Sequence, residues 1–535
     1  MSTPSFPVLR ATVSLALGAL LVGQVNAQMP KPKNMEELVA YVQAHHKAPF
    51  DRDGAMLPPG GQETLMQHLA KLGNPSMATF AATASAGTNV KVNRDRNPWP
   101  KAEIGMAVDP VNGKNFIVMS NDFRENYTRQ FYHVSTNGGT AWSDDLMAIG
   151  LDPVTGLIPY NYQSDPGVAF DDKSQSYLSA INGNLIIDVD GVYVNFDTQI
   201  EEVQGFAGGT YTSLLPTIVD NQICSGATNF VCPGELDKPL ITADAVPGSP
   251  KKGTIYVYYT FFCNDQPCTD GRATIPAFSS AILESHAAGA NLPFSPPALV
   301  SGPFVQDQFS AMVIDSHGTP HIFFDDFSDP SGVTKMRMST FQNGHWKVTA
   351  TPVVKFLYNG MNNLNWGFRD FGTVAPGCGI VGDTAYCAFS ASQVAGGPLE
   401  GTPSVYVAVV NTQTGASSVH RVNNDAFANG KHHFFPWATG KNDGSVYVGW
   451  YDDRNDVFST KVQYFVGKST DGGNTFPTQR AVSTASFNPC VGFPGCGFFG
   501  DYTEIAAGPD GVVHVAWSDT RDGATMQIYT QAITW

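Results

Sequence analysis

From about Glu103 to Trp535 the chain runs as short apolar stretches with period-two alternation, broken every few residues by Gly and Asp. Helical periodicity is nearly absent there. One unit is clearest near the end: Asp501-Tyr502-Thr503-Glu504-Ile505-Ala506-Ala507-Gly508, a Pro509-Asp510-Gly511 turn, then Val512 through Asp519. The unit before it runs from His433 to Gly440, turns at Asn442-Asp443-Gly444 and returns from Val446 to Asp452. Weaker copies begin near Glu103, Asp165, Asp237, Asp307 and Asp370. These repeats predict an all-β chain. Each unit, about 62 residues long, has room for a four-stranded sheet with long loops, and a ring of such sheets buries faces that one sheet alone would expose. The fold class predicted is a β-propeller, with seven blades favoured and six, one unit being split, as the alternative. Val90-Lys91-Val92 is expected to supply a strand that completes the final blade.

The region ahead of the repeats reads differently. Residues 1–27 carry one charge, Arg10, and an apolar run from Ala11 to Gly23 that is too short to span a bilayer. It leads into Val25-Asn26-Ala27, so a signal peptide cleaved before Gln28 is expected, and with it a secreted or periplasmic protein. Over 28–100, Met35, Leu38, Val39 and Val42, and then Leu65, Leu69 and Leu72, recur at helical spacing. They predict short N-terminal helices packed on the propeller of 101–535, or a pro-segment.

Charge narrows the partners. With 31 basic and 47 acidic side chains the net charge is −16, and no Lys/Arg run offsets it. Nucleic acid and anionic membrane are therefore poor partners, membrane insertion is not expected, and the protein is read as a monomer. Eight cysteines form four near-neighbour couples: Cys224 with Cys232, Cys263 with Cys268, Cys378 with Cys387, and Cys490 with Cys496. An even count in an exported chain favours disulfides, and local pairing around turn-rich stretches is expected, although sequence alone does not fix the connectivity. No His completes a zinc pattern beside them.

Two segments, Ser135-Thr136-Asn137-Gly138-Gly139-Thr140-Ala141-Trp142 and Ser469-Thr470-Asp471-Gly472-Gly473-Asn474-Thr475-Phe476, share the pattern Ser-x-Asp/Asn-x-Gly-x-x-aromatic. Ser339-Thr340 through Asn343-Gly344-His345-Trp346 is a degenerate copy. The Asx side chain can bond nearby backbone N–H groups, Gly can take positive φ, and the aromatic can bury against the sheet, as a hairpin turn requires. These residues resemble the Asp-box, or BNR repeat, of the sialidase-like β-propellers. The resemblance implies that the boxes are structural and lie on the face away from the active site. It further implies a carbohydrate-active enzyme, most closely a sialidase-like exo-glycosidase of extracellular glycans. Such an enzyme would have an arginine clamp for a carboxylate (Arg369, Arg454, Arg521), an acid (Asp501 or Asp307) and a tyrosine nucleophile activated by a glutamate (Tyr502 with Glu504). The sequence departs from true sialidases in lacking an Arg-Ile-Pro type motif, with Arg94-Asp95-Arg96-Asn97-Pro98 standing in that region.

In a propeller the openings of the innermost strands meet around the axis. This gives a candidate ring of Lys101 or Glu103, Asp165, Asp237-Lys238, Asp307, Arg369-Asp370, His432-His433 and Asp501-Tyr502. Within it, Asp501, Tyr502, Glu504, Asp307 and His433 are the catalytic candidates. Arg369, Asp370, Arg454, Arg521, Asp237 and His432 are candidates for binding substrate. Of His432 and His433 at most one can face the axis, because neighbours on a strand point to opposite sides. A second set, Asp122-Arg124, Asp325-Asp326, Asp452-Asp453-Arg454 and Asp519-Arg521, follows the second strands and reads equally as local ion pairs. Two other classes stay open: a propeller-type polysaccharide lyase with a His or Tyr base, and a non-catalytic propeller that binds glycan or protein. No cofactor is called for. Asp188-Val189-Asp190-Gly191 hints at a structural Ca2+ loop but lacks the further ligands of an EF-hand, and Asn126-Tyr127-Thr128 fits a glycosylation acceptor.

Overall fold

The computed structural model describes residues 88–535 except for 125–127, 148–161, 188–193, 207–216, 223–233, 264–266, 271–272, 290–291, 359–365, 369–376 and 494–495. The expected leader, N-terminal helices, Asp188–Gly191 loop, Asn126 acceptor and Arg369-Asp370 lie outside the described residues. Among the described residues there is no α-helix, and so none long and apolar enough to cross a membrane.

The strands form an all-β propeller of antiparallel sheets. Six sheets are four-stranded, and the propeller has six blades, the alternative count, in place of the seven favoured. The repeat count predicts seven alike, and the difference arises in the unit that opens at Asp307. Its sheet has six strands, because the strand Thr334–Gln342 pairs with both His345–Val348 and Val354–Leu357, and the latter goes on to pair with Gln393–Val394. A two-stranded ribbon, Cys268–Asp270 with Ala273–Ile275, stands apart from the blades.

In each repeat the inner strand starts at one end of the propeller, here called the upper face. The second strand returns there, and the third runs back down. The last blade is shut by the expected latch: Val90 and Lys91 pair with Thr530 and Tyr529. Asn93 then bonds the Ile528 N–H and the Gln527 side chain.

Between blades the faces bury apolar side chains. Trp450 and Trp517 are completely covered, and each indole N–H donates to the Asp two residues on, Asp452 at 2.7 Å and Asp519 at 2.8 Å. The two full Asp-boxes close hairpins on the lower face. The Gly139 N–H donates to Ser135 Oγ (2.9 Å), and Asn137 Oδ1 accepts from the N–H groups of Thr140 and Ala141. Gly473, Ser469, Asp471 and Thr475 repeat the arrangement. Gly139 is needed twice over: its φ is 82°, and a Cβ there would come within 2.8 Å of the Phe116 ring. Trp142 and Phe476 bury as expected.

Three of the four expected disulfides lie within the described residues, and each joins its near neighbour: Cys263–Cys268, Cys378–Cys387 and Cys490–Cys496. Cys224 and Cys232 both lie outside the described residues, in the stretch 223–233, so a bridge between Cys224 and Cys232 stays an expectation of the sequence. Several disulfides in one chain point to an oxidising, extracytoplasmic compartment.

Candidate active site on the propeller axis

Five inner strands break register at the same place, just after the strand begins. One residue there takes a left-handed backbone: Glu103 (φ 56°), Asp165 (57°), Lys238 (48°), Phe309 (56°) and Phe435 (51°). The breaks fall between Ala102 and Ile104, Ser164 and Gly167, Asp237 and Leu240, Gln308 and Ser310, and Phe434 and Trp437. None of the five is Gly, so each bulge stores strain of order 1–3 kcal/mol that its surroundings must hold in place. In three of them Pro follows (Pro166, Pro239, Pro436), a residue with no N–H to leave unpaired at the break. A bulge re-aims side chains, and here it brings residues from separate sheets together.

Lys238 is the hub. Its Nζ lies 3.0 Å from Asp501 Oδ2 and 3.7 Å from Glu103 Oε1, and its backbone N–H donates to Asp165 Oδ2 at 3.3 Å. The ammonium also stands 5.3 Å from the centre of the Tyr502 ring and 5.9 Å from that of Phe309. Asn121 cross-braces the group, donating to Glu103 Oε2 and accepting the Asp165 N–H at 2.9 Å. Burial works against the Lys238 charge, but Asp501, Asp165 and Glu103 outweigh it and hold its pKa well above the ordinary lysine range.

Asp501 therefore sits where the sequence placed it, in the ring. Its neighbour Tyr502 is there too, although burial, followed by the charges of Asp165, Glu103 and Asp501, pushes the phenol well above its usual pKa. An activated nucleophile would need the opposite shift. Nor do Tyr502 and Glu504 share a strand, since the strand begins at Glu504. The Glu504 carboxyl instead accepts the Met106 N–H of the adjoining sheet, and burial raises its pKa strongly. Tyr502 thus stands beside Lys238, while the Glu504 carboxyl braces the adjoining sheet.

Asp307 pairs in register with Asp326, whose carboxylate binds Arg337 at 2.7 Å. Burial pushes the Asp307 carboxyl up to about 8, with Asp326 adding to the shift and the Ser301 hydroxyl and Arg337 opposing it. Asp237 immediately precedes the Lys238 bulge and is buried opposite Thr260.

His433 is boxed in: Nδ1 meets the Pro403 carbonyl at 3.0 Å, and Nε2 meets Asp425 at 3.2 Å and Asp452 at 3.5 Å. Burial alone would lower its pKa, but the two carboxylates raise it. His432 points elsewhere, to Asp453 (3.1 Å).

Arg454 and Arg521, in the loops, close on Asp452 (2.7 Å) and Asp519 (2.5 Å), the last residues of the strands before them, as Arg124 does on Asp122 (2.5 Å). Two of the three arginines expected to clamp a carboxylate are thereby engaged in repeated scaffold pairs.

At the level of class, the fold and this ring define a β-propeller with a polar axial site. No protein-family model and no curated protein matches the sequence. Solved structures give distant likenesses. A Penicillium chrysogenum alpha-L-arabinanase, complexed with arabinobiose, is 12% identical over 84% of this chain and 98% of its own, with a TM-score of 0.41. The Hadza microbial sialidase Hz136 is 11% identical over 83% and 92%, with a TM-score of 0.40. A PL25 ulvan lyase, bound to -[GlcA(1-4)Rha3S]-, is 11% identical over 83% and 95%, with a TM-score of 0.40. No residue role is transferred from any of them.

Proposed function

We propose that the protein is an exported, carbohydrate-active propeller that hydrolyses glycosidic bonds of extracellular glycans at its axial ring. One observation carries this reading: three carboxylates from three separate repeats, Glu103, Asp165 and Asp501, gather on a single lysine, and Glu103, Asp165 and Lys238 hold a left-handed backbone strained enough to need a reason.

Glycoside hydrolysis needs one carboxyl that gives a proton and one carboxylate that assists the attacking group. Asp307, protonated at neutral pH, suits the first role. Asp501, beside Lys238, suits the second. Lys238 and the Tyr502 hydroxyl supply donors for sugar oxygens.

The test is a panel of fluorogenic exo-glycosides, sialoside included, assayed with wild type, Asp501→Asn and Asp307→Asn. Turnover of at least one glycoside, reduced by about 10²-fold or more in either variant, is the expected result. Ultraviolet-absorbing unsaturated products from uronate polymers would replace hydrolysis by lyase chemistry. Silence in both assays with retained glycan-array binding would leave a binding module.

A further inference from the structure

His432 is fixed by Asp453 at two points. Its backbone N–H donates to Asp453 Oδ1 (2.8 Å), and its Nδ1 faces Asp453 Oδ2 (3.1 Å). A carboxylate accepts only, so Nδ1 holds a proton there, and in the neutral form of the ring Nε2 is an acceptor. Among the described residues that Nε2 is buried without a partner, on a residue 4% exposed. Against it, edge to face at 5.4 Å, lies Trp366, 8% exposed, whose indole N–H is also buried and, among the described residues, unpartnered. An indole N–H only donates. An unmet acceptor and an unmet donor thus stand on two touching rings, each costing about 1–3 kcal/mol while it lacks a partner.

The rings are not free to turn away. Trp366 stacks on Phe368 (5.8 Å) and meets Phe434 (5.8 Å), and the next residue, Gly367, donates its N–H to Cys496 Sγ (3.3 Å) at the Cys490–Cys496 bridge.

We infer that His432 and Trp366 form a receptor for one alcohol hydroxyl, which accepts from Trp366 Nε1 and donates to His432 Nε2. The chemistry selects the ligand. A carboxylate or sulfate cannot donate to Nε2 and would meet Asp453; an ammonium cannot accept from the indole. The ligand class is therefore an uncharged polyol or neutral sugar. The loop that follows Asp453 also presents Val457 and Phe458, 85% and 78% exposed, as an apolar rim for the C–H face of a sugar ring. This rim is held to the segment leading into His432, because Lys431 Nζ bonds the Asp456 carbonyl and Ser459 Oγ. Naming the ligand a neutral sugar rests on the carbohydrate reading above; the hydroxyl receptor itself does not.

The experiment uses the full chain, labelled with 15N at tryptophan, with xylitol as the probe and glucuronate as its charged counterpart. The Trp366 indole resonance is identified by its loss in Trp366→Phe. It is expected to shift saturably with xylitol, to ignore glucuronate, and to lose the xylitol response in His432→Phe, which keeps the ring volume. A folded wild type whose Trp366 resonance no polyol moves overturns the inference and leaves a bound water in that position.

A parallel array of neutral and acidic glycans separates the two claims. Wild-type binding to neutral glycans that falls tenfold or more in both variants supports both. Equal binding by all three proteins overturns the receptor while the carbohydrate reading survives. A xylitol shift without any glycan binding upholds the receptor and removes the sugar.

Discussion

Replacing Lys238 by methionine removes the cation that, among the described residues, faces the axial carboxylates Asp501 and Glu103, while keeping a side chain of similar length. At an effective dielectric of about 20, unit charges 3.0 Å apart attract by roughly 5 kcal/mol. Most of that gain is offset in the native protein by the cost of burying the ions. The cost of deletion is instead that of leaving Asp501 and Glu103, both fully covered, without their counter-charge, about 3–5 kcal/mol. With an unfolding entropy of about 2.1 cal/mol/K per residue over roughly 450 residues, the melting temperature should fall by about 3–5 °C. The assay is thermal unfolding at pH 7, run beside Lys238→Met/Asp501→Asn, in which one of the two stranded charges is gone and part of the loss should return. In the native protein the Lys238 contribution is complete below the unfolded lysine pKa and fades only as pH rises through its raised folded value. Wild type should therefore show no loss from this group anywhere below about pH 10. A Lys238→Met protein that melts with wild type at pH 7, or a double variant no better than the single one, would refute the view of Lys238 as the hub.

Other residues give sharper tests of sign. His433 has a raised pKa, so its stabilisation is full below about pH 6.5 and is lost as pH rises through the folded value; the stability gap between wild type and His433→Gln in urea should be wider at pH 6 than at pH 9. Asp307 is an acid raised to about 8, so the native state keeps a proton that the unfolded state gives up, and stability is lost between about pH 4 and 8. Asp307→Asn should accordingly be more stable than wild type at pH 8 and equal to it near pH 3, while losing activity. Ser469→Ala leaves the buried Gly473 N–H without its acceptor and should cost about 1–3 kcal/mol in chemical denaturation, with glycoside turnover unchanged because that turn lies on the lower face.

What could be read from the residues follows the range of the forces involved. The Asp-box turns are local, so Ser135, Asn137, Ser469 and Asp471 announce their hydrogen bonds in a few consecutive letters. The Val90–Lys91 latch and three cysteine pairs were legible for related reasons: strand pattern, and nearness along the chain. The choice between neighbours at each inner-strand opening was not. Simple alternation favours Asp237 over Lys238, but the bulge rotates the backbone and hands the axis to Lys238. The Pro after Asp165, Lys238 and Phe435 was the available signal. Trp366 gave no sequence signal, because its partner His432 lies 66 positions away along the chain. The blade count differs for the same reason: the strands that widen the Asp307 sheet join through pairings such as Phe356 with Val394, which no repeat pattern encodes.

The Val90–Lys91 latch also bears on how the molecule is made. Most blades are assembled from neighbouring stretches of chain and can form as soon as they are synthesised, whereas Asn93 and Gln527 must find each other across 434 positions. Loop-closure entropy makes that encounter the slow one. Until it happens the arc has two bare strand edges, open to pairing with other copies. Substitutions at Asn93 or Gln527 should therefore appear first as poor yield and aggregation during folding, before any defect in the finished ring.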